Sequence, residues 1–178
     1  MDIKYLTTDT SHPVPLFLPD TYERIYETPE PAVDDEGNKV PAEPVLVGFK
    51  GEPMLDKKGN HITFHVLSMN STPAKNADFK HRREAPKADK AIEEMTPDEQ
   101  QAFLEQLQSY GKRAGAEKLA AMVVQIDGEI VISEKPKRVL NADDKELLTD
   151  ILNLSKNDAI ADHLIFESQK AENYRPKM

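Results

Sequence analysis

The placement of proline constrains this chain more than any other feature. The 178 residues include thirteen prolines and seven glycines, and most of the prolines fall within the first 90 residues. Proline fixes φ and has no backbone N–H, so it is disfavoured in helix interiors and in central strands. We therefore predict that the first half consists of edge strands, extended segments and loops.

Residues 1–70 are predicted to form a β-rich part with an extended proline-rich arm. Residues 13–19 are a short apolar run between prolines, which suits an edge strand or an extended arm. Residues 23–26 and 45–49 are further strand candidates. The clearest strand signal lies at 62–67, where apolar and more polar side chains alternate.

Two polar segments that contain Gly-Asn predict turns, at residues 34–38 and 56–60. Glycine and asparagine accept the positive φ that tight connections require. The acidic residues around them do not follow the alternating ligand spacing of a calcium loop. We therefore expect loops or hairpin turns at both places rather than calcium sites.

Residues 71–95 are predicted to be a charged connector. Six Lys and Arg residues stand against three acidic residues between positions 73 and 90, a local charge of +3 in a chain of net charge −9. Pro73 and Pro86 bracket a possible helix, and the alternatives are a hinge or a mobile linker. The local charge also points to an acidic partner surface.

Residues 96–178 are predicted to be mainly helical. Thr96-Pro97-Asp98-Glu99 has the pattern of a capping box with proline at the first helical position. Gly111 and Gly115 are expected to weaken the following helix or divide it in two.

One β-hairpin is predicted near residues 123–132, where Asp127-Gly128 separates two apolar runs. Asn141 or Asp143 is expected to cap a further helix, and Asp158 is expected to open the last one. The predicted fold class is thus α+β, with a β-rich N-terminal part and a mainly helical C-terminal part.

The composition and motifs argue against catalysis and cofactors. The chain has no cysteine, which excludes disulfides and thiol nucleophiles. Its histidines show no metal-ligand spacing, and it contains no phosphate-binding glycine loop or nucleophile elbow. We expect no enzyme activity, no cofactor and no metal, although a site assembled from distant residues stays open.

Charge and hydropathy also limit the expected partners. A net charge of −9 disfavours nucleic acid, since binding to phosphates requires Lys and Arg. No apolar run approaches the roughly 20 residues that cross a bilayer. Residues 1–6 show no secretory signal. These features fit a cytoplasmic protein that binds neither nucleic acid nor membranes.

The order of these features resembles a known family. A strand segment at residues 52–67 is followed by a charged helical stretch through Arg82-Arg83 and by the segment 120–131, then by an acid-rich helix, and the chain ends near Asn173-Tyr174. This pattern is similar to the tail assembly chaperones, and related small tail-gene proteins, of long-tailed bacteriophages. The chain departs from it in having no Trp near Gln125.

The resemblance implies a non-catalytic factor in the cytoplasm of a bacterial host. Such chaperones hold the long helical tape measure protein and recruit tail tube subunits. A helical, acidic C-terminal region suits the binding of amphipathic helices. The residues expected to contact partners are Asp143, Asp144, Glu146, Leu147, Asp150 and Ile151. Charge reversal at the four acidic positions is expected to weaken binding without unfolding the protein.

Three alternatives stay open. A structural virion protein, such as a minor tail or head-completion protein, would use residues 13–19 to add a strand to a neighbour. An inhibitor of a host protein would use its acidic surface to mimic nucleic acid. A small hydrolase would carry a site that no motif reveals.

Overall fold

The computed structural model of the protein describes residues 10–33, 39–134 and 136–174. Two predictions lie outside these ranges. They are the turn at residues 34–38 and the lack of a secretory signal in residues 1–6.

The described residues form nine strands and four α-helices, besides short 3-10 helices. The strands are β1 Ser11–Pro15, β2 Glu23–Glu27, β3 Ala32–Val33, β4 Lys39–Val40, β5 Val45–Lys50, β6 Thr63–Leu67, β7 Val123–Asp127, β8 Val131–Glu134 and β9 Lys137–Val139. The helices are α1 Thr72–Glu84, α2 Pro97–Met122, α3 Lys145–Leu152 and α4 Asp158–Gln169. The predicted α+β class, with a β-rich start and a mainly helical second half, is confirmed.

A three-stranded antiparallel sheet in the order β1-β6-β7 lies at the centre of the fold. In β1, Val14 pairs with Phe64, and Leu16 just beyond the strand donates its N–H to the Ile62 carbonyl at 2.9 Å. Because hydrogen-bonding positions alternate along an antiparallel strand, the backbone nitrogens of Pro13 and Pro15 point away from β6, where no N–H donor is required. The predicted edge strand at residues 13–19 is confirmed for its first part.

The strand pairings correct the hairpin that we predicted near residues 123–132. β7 pairs with β6, and β8 pairs with β9. The chain bends at Gly128, which has a positive φ of 83°, but there it passes out of one sheet and into another. The prediction was wrong because the partner strand of β7 lies some sixty residues earlier in the chain.

The helix α2 begins with the predicted capping box. The Thr96 N–H donates to Glu99 Oε2 at 2.7 Å, and the Glu99 N–H donates to Thr96 Oγ1 at 3.4 Å. Of the two effects expected at Gly111 and Gly115, weakening or division of the helix, division is contradicted, since α2 continues from Pro97 to Met122. Packing of α1 and α3 along α2 outweighs the low helix propensity of glycine.

Asp144 is the residue that caps α3, rather than Asn141 or Asp143. Its carboxylate accepts a hydrogen bond from the Leu147 N–H at 3.2 Å. The Asn141 side chain instead accepts from the Asp143 N–H at 3.0 Å and holds the preceding turn. As expected, Asp158 opens α4.

The hydrophobic core draws on both halves of the chain. It includes Val14 and Phe64 from the sheet and Leu148 and Leu164 from the last two helices, all at most 3% exposed. The division into residues 1–70, 71–95 and 96–178 stays a prediction, although the β6–β7 pairing and this core join its first and last parts.

Two glycines with positive φ provide a matched test of the structure. A Cβ at Gly128 would lie 2.8 Å from Ile62 Cδ1 and 3.0 Å from the His61 carbonyl, whereas a Cβ at Gly59 would meet nothing within 4 Å. We expect Gly128→Ala to lower the free energy of unfolding by at least about 2 kcal/mol, and Gly59→Ala by about 1 kcal/mol from backbone strain alone. Urea denaturation measures both losses. Equal losses would contradict the close approach at Gly128.

Candidate functional site

An apolar groove of about 440 Å³ opens where the β8–β9 hairpin meets α3, α4 and the central sheet. Twelve of its fifteen lining residues are apolar. Its deepest members are also core residues, and they are Leu16, Phe64, Leu140, Leu152 and Ile160. A mostly apolar depression of this size is typical of a site that receives apolar groups of a ligand or partner.

The groove has an exposed apolar rim. Ile132 on β8 is 38% exposed, and Leu154, just after α3, is 47% exposed. Large apolar side chains at the edge of an apolar groove extend the surface that a partner can bury. The apolar surface available to a partner therefore includes the exposed rim as well as the buried floor of the groove.

Three polar residues complete the lining, and one of them has a structural role. The Asn157 side chain donates to the Ile151 carbonyl at 2.7 Å, which ties the turn between α3 and α4 to the end of α3. Asp20 and Lys156 form no ion pair with any residue that the structure describes. Beside its apolar lining, the groove thus offers the Asp20 carboxylate and the Lys156 ammonium group, neither of which is ion-paired with a described residue.

Local contacts hold the groove walls in place. The Leu140 N–H donates to the Ile130 carbonyl at 2.9 Å, which closes the base of the β8–β9 hairpin. Arg138 on β9 pairs with Asp144 at 2.7 Å and thereby joins the hairpin to the start of α3. This ion pair holds the pKa of the Asp144 carboxyl below its usual value.

The six residues predicted to contact partners fall into three groups. Leu147 and Ile151 are half-buried against the core, and Ile151 lines the groove. Asp144 caps α3, and Asp150 lies 3.5 Å from Arg113 on α2. The remaining two, Asp143 and Glu146, are exposed and form no ion pair with the described residues.

Of the four acidic residues predicted to contact partners, Asp143 and Glu146 are therefore the two that have no ion pair with a described residue. Asp144 and Asp150 are engaged within the molecule, so reversing their charges would alter stability as well as any surface. The site residues predicted from the sequence did not include Asp20, Ile132, Leu154 or Lys156, all of which line the groove. Leu154 had one local signal, since it is the one large apolar residue in the otherwise polar segment 153–157 of the sequence.

A second cluster, outside the groove, contains a His–Asp pair. His65 Nε2 lies 2.7 Å from Asp127 Oδ2, and this contact lowers the pKa of Asp127. Because side chains alternate along β6, His65 and the groove-lining Phe64 point to opposite faces of the sheet. Among the described residues, no hydroxyl group hydrogen-bonds to His65.

The described part of the chain contains no group of three or more His, Asp or Glu residues arranged to hold a metal ion. Within the same ranges, no helix has the length and apolar character required to cross a bilayer.

A comparison with known proteins finds no family model, no curated protein and no solved structure that matches this chain.

Proposed function

We propose that the protein is a non-catalytic polypeptide-binding factor whose groove receives apolar side chains from an amphipathic partner helix. The observation that carries this proposal is the apolar groove with exposed Ile132 and Leu154 at its rim. A partner helix that places residues i, i+3 or i+4 and i+7 into such a groove buries apolar surface from both sides. Asp20 and Lys156 would orient the partner through its own charges.

Assembly of a long-tailed phage tail is the process that we propose for this binding. The sequence pattern resembles tail assembly chaperones, whose partners are the tape measure protein and the tail tube subunit. Glu146 lies in the first turn of α3, which also supplies the groove residue Ile151, and Asp143 lies just before that helix. Both carboxylates are exposed. Negative charge beside an apolar surface would discourage non-specific apolar partners and permit release.

The test combines Leu154→Glu with Ile132→Glu in a tagged protein. Both side chains are exposed, so the fold should survive, whereas two carboxylates would oppose burial of a partner helix. We expect recovery of a tape measure protein or tube subunit from producing cells to fall at least about tenfold, as measured by quantitative mass spectrometry. Leu104→Glu, at a 57% exposed position on α2, is the control that should keep the partner.

Two outcomes would contradict the proposal. One is that the double variant recovers the same partners as the wild-type protein. The other is that the wild-type protein recovers a host enzyme, or no partner. Retention of the protein in purified particles would favour the structural virion protein, although β1 already pairs with β6 of its own chain.

A further inference from the structure

The helix α1 uses one face to pack against α2. Ala74 on this face is fully buried, and the Tyr110 hydroxyl of α2 donates to the His81 carbonyl at 2.8 Å. Glu117 on α2 accepts from Lys80 at 2.8 Å and lies 3.0 Å from His81 Nε2. These two contacts lower the pKa of the Glu117 carboxyl to about 2. The positive charge on this side of α1 is therefore neutralised within the molecule.

The outer face of α1 is different. Phe79 is 66% exposed, the largest exposed fraction among the large apolar side chains that the structure describes. Lys75 precedes it by four residues, and Arg82 and Arg83 follow it by three and four, so the four side chains share one face of the helix. All four are exposed, and the three cations form no ion pair with any described residue. We call this set the outer face of α1.

We propose that the outer face of α1 is a docking surface for an acidic amphipathic helix of another polypeptide. Phe79 offers an apolar contact, and the three cations around it match carboxylates on the polar side of such a helix. The thirteen residues of α1 extend about 20 Å, which is enough for between three and four turns of a partner. This proposal does not rest on the groove or on a role in phage assembly.

An acidic helix fits this surface better than nucleic acid does. Nucleic-acid binding depends on neutralising many phosphates, and the chain as a whole carries a net charge of −9. A stacking platform for single-stranded bases generally uses several aromatic rings along a basic groove. The outer face of α1 offers one aromatic ring and three cations on a convex helix.

The test uses a synthetic helix of about 20 residues with Leu on one face and Glu on the other, labelled for fluorescence anisotropy. We expect it to bind the full-length protein, and to bind at least about tenfold more weakly to Phe79→Ser and to Arg82→Glu/Arg83→Glu. Raising NaCl from about 0.05 M to about 0.5 M should also weaken binding, because it screens the charges. A peptide of the same composition in scrambled order should bind poorly.

Control variants separate this surface from others. Leu104→Ser replaces another exposed apolar residue, and Lys57→Glu/Lys58→Glu reverses two exposed cations in the loop before β6. Both should bind the peptide like the wild-type protein. The groove variant Leu154→Glu/Ile132→Glu should do the same, so failure of the proposed function would not be mistaken for failure here.

Three results would overturn the proposal. The first is that Phe79→Ser and Arg82→Glu/Arg83→Glu bind the acidic peptide as tightly as the wild-type protein does, or that the wild-type protein does not bind it at all. The second is tighter binding of a labelled oligo-dT strand at this face, which would assign it to nucleic acid. The third is a dimer in light scattering that Phe79→Ser abolishes, which would assign the face to a second copy of the chain. Thermal melting of each variant verifies that it is folded.

Discussion

Replacing Leu164 with alanine is expected to lower the free energy of unfolding by about 3–4 kcal/mol, because the side chain is fully buried and its removal leaves a cavity. Leu164 belongs to the same core as Val14 of β1 and Leu148 of α3. The substitution should therefore destabilise the strands and the helices together. We expect a single unfolding transition at a lower denaturant midpoint.

Far-UV circular dichroism and the fluorescence of the tyrosines provide two probes of this transition in urea. Leu104→Ala is the control, since that side chain is 57% exposed and its loss should cost less than about 0.5 kcal/mol. Two separated transitions would show that the β-rich part and the helical part unfold independently. That result would support separate domains at the predicted boundaries and contradict the shared core.

The parts of the fold that the sequence predicted are those that depend on neighbouring residues. The capping box at Thr96 involves residues three apart, and both of its hydrogen bonds form. The turn at residues 56–60 is also local: Asp56 Oδ1 accepts from the Lys58 and Asn60 N–H groups at 2.8 and 2.9 Å, and Gly59 has a φ of 82°. Such signals need no knowledge of the rest of the chain.

Predictions that required a distant partner were less successful. Val123–Asp127 has an apolar pattern that fits a hairpin with the next run, yet its ladder forms with Thr63–Leu67. The pattern fixes which face of a strand is buried, but it does not name the neighbouring strand. The break that Gly111 and Gly115 suggested is absent for a similar reason. The residues of α1 and α3 that pack against α2 lie far from these glycines in the sequence.

The candidate site likewise depends on residues that are distant in the sequence. The groove combines Leu16 with Ile160, which are separated by most of the chain, so periodicity could not bring them together. The predicted partner contacts fall at residues 143–151 because the resemblance implies an acidic, helical C-terminal region that binds amphipathic helices. The structure supports Ile151 as a groove residue, but it shows that Asp144 and Asp150 have partners within the molecule.

A buried histidine on α4 makes the stability of the protein sensitive to acid. His163 is 5% exposed, its ring stacks on Phe17 with centroids 5.6 Å apart, and Phe49 lies 5.0 Å away. Burial lowers the pKa of His163 from 6.5 to about 4, against a smaller opposing effect of Glu167 and alongside a small contribution of Lys170. The neutral imidazole is therefore the form that the fold accepts.

The direction of the pH effect follows from where the protons bind. Between pH 6.5 and 4, the unfolded chain holds a proton on this histidine that the folded protein excludes. The contribution of neutral His163 to the free energy of unfolding is thus fully present above about pH 6.5. It falls as the pH drops towards 4, by at most about 3 kcal/mol. The ion-paired carboxyl of Glu117, with a pKa near 2, contributes its own loss at lower pH, between its usual value of 4.5 and 2.

His163→Phe is expected to remove most of the pH dependence between pH 7 and 4.5, because phenylalanine retains a ring among Phe17, Tyr22 and Phe49 and takes up no proton. Urea denaturation at a series of pH values measures the effect, and the slope against pH is compared rather than the absolute stability, since the larger ring can strain its neighbours. His61→Gln replaces an exposed histidine and should leave the slope of the wild-type protein unchanged. If His163→Phe kept the full slope, the acid sensitivity would have to come from other groups, and His163 would not be held neutral by its burial.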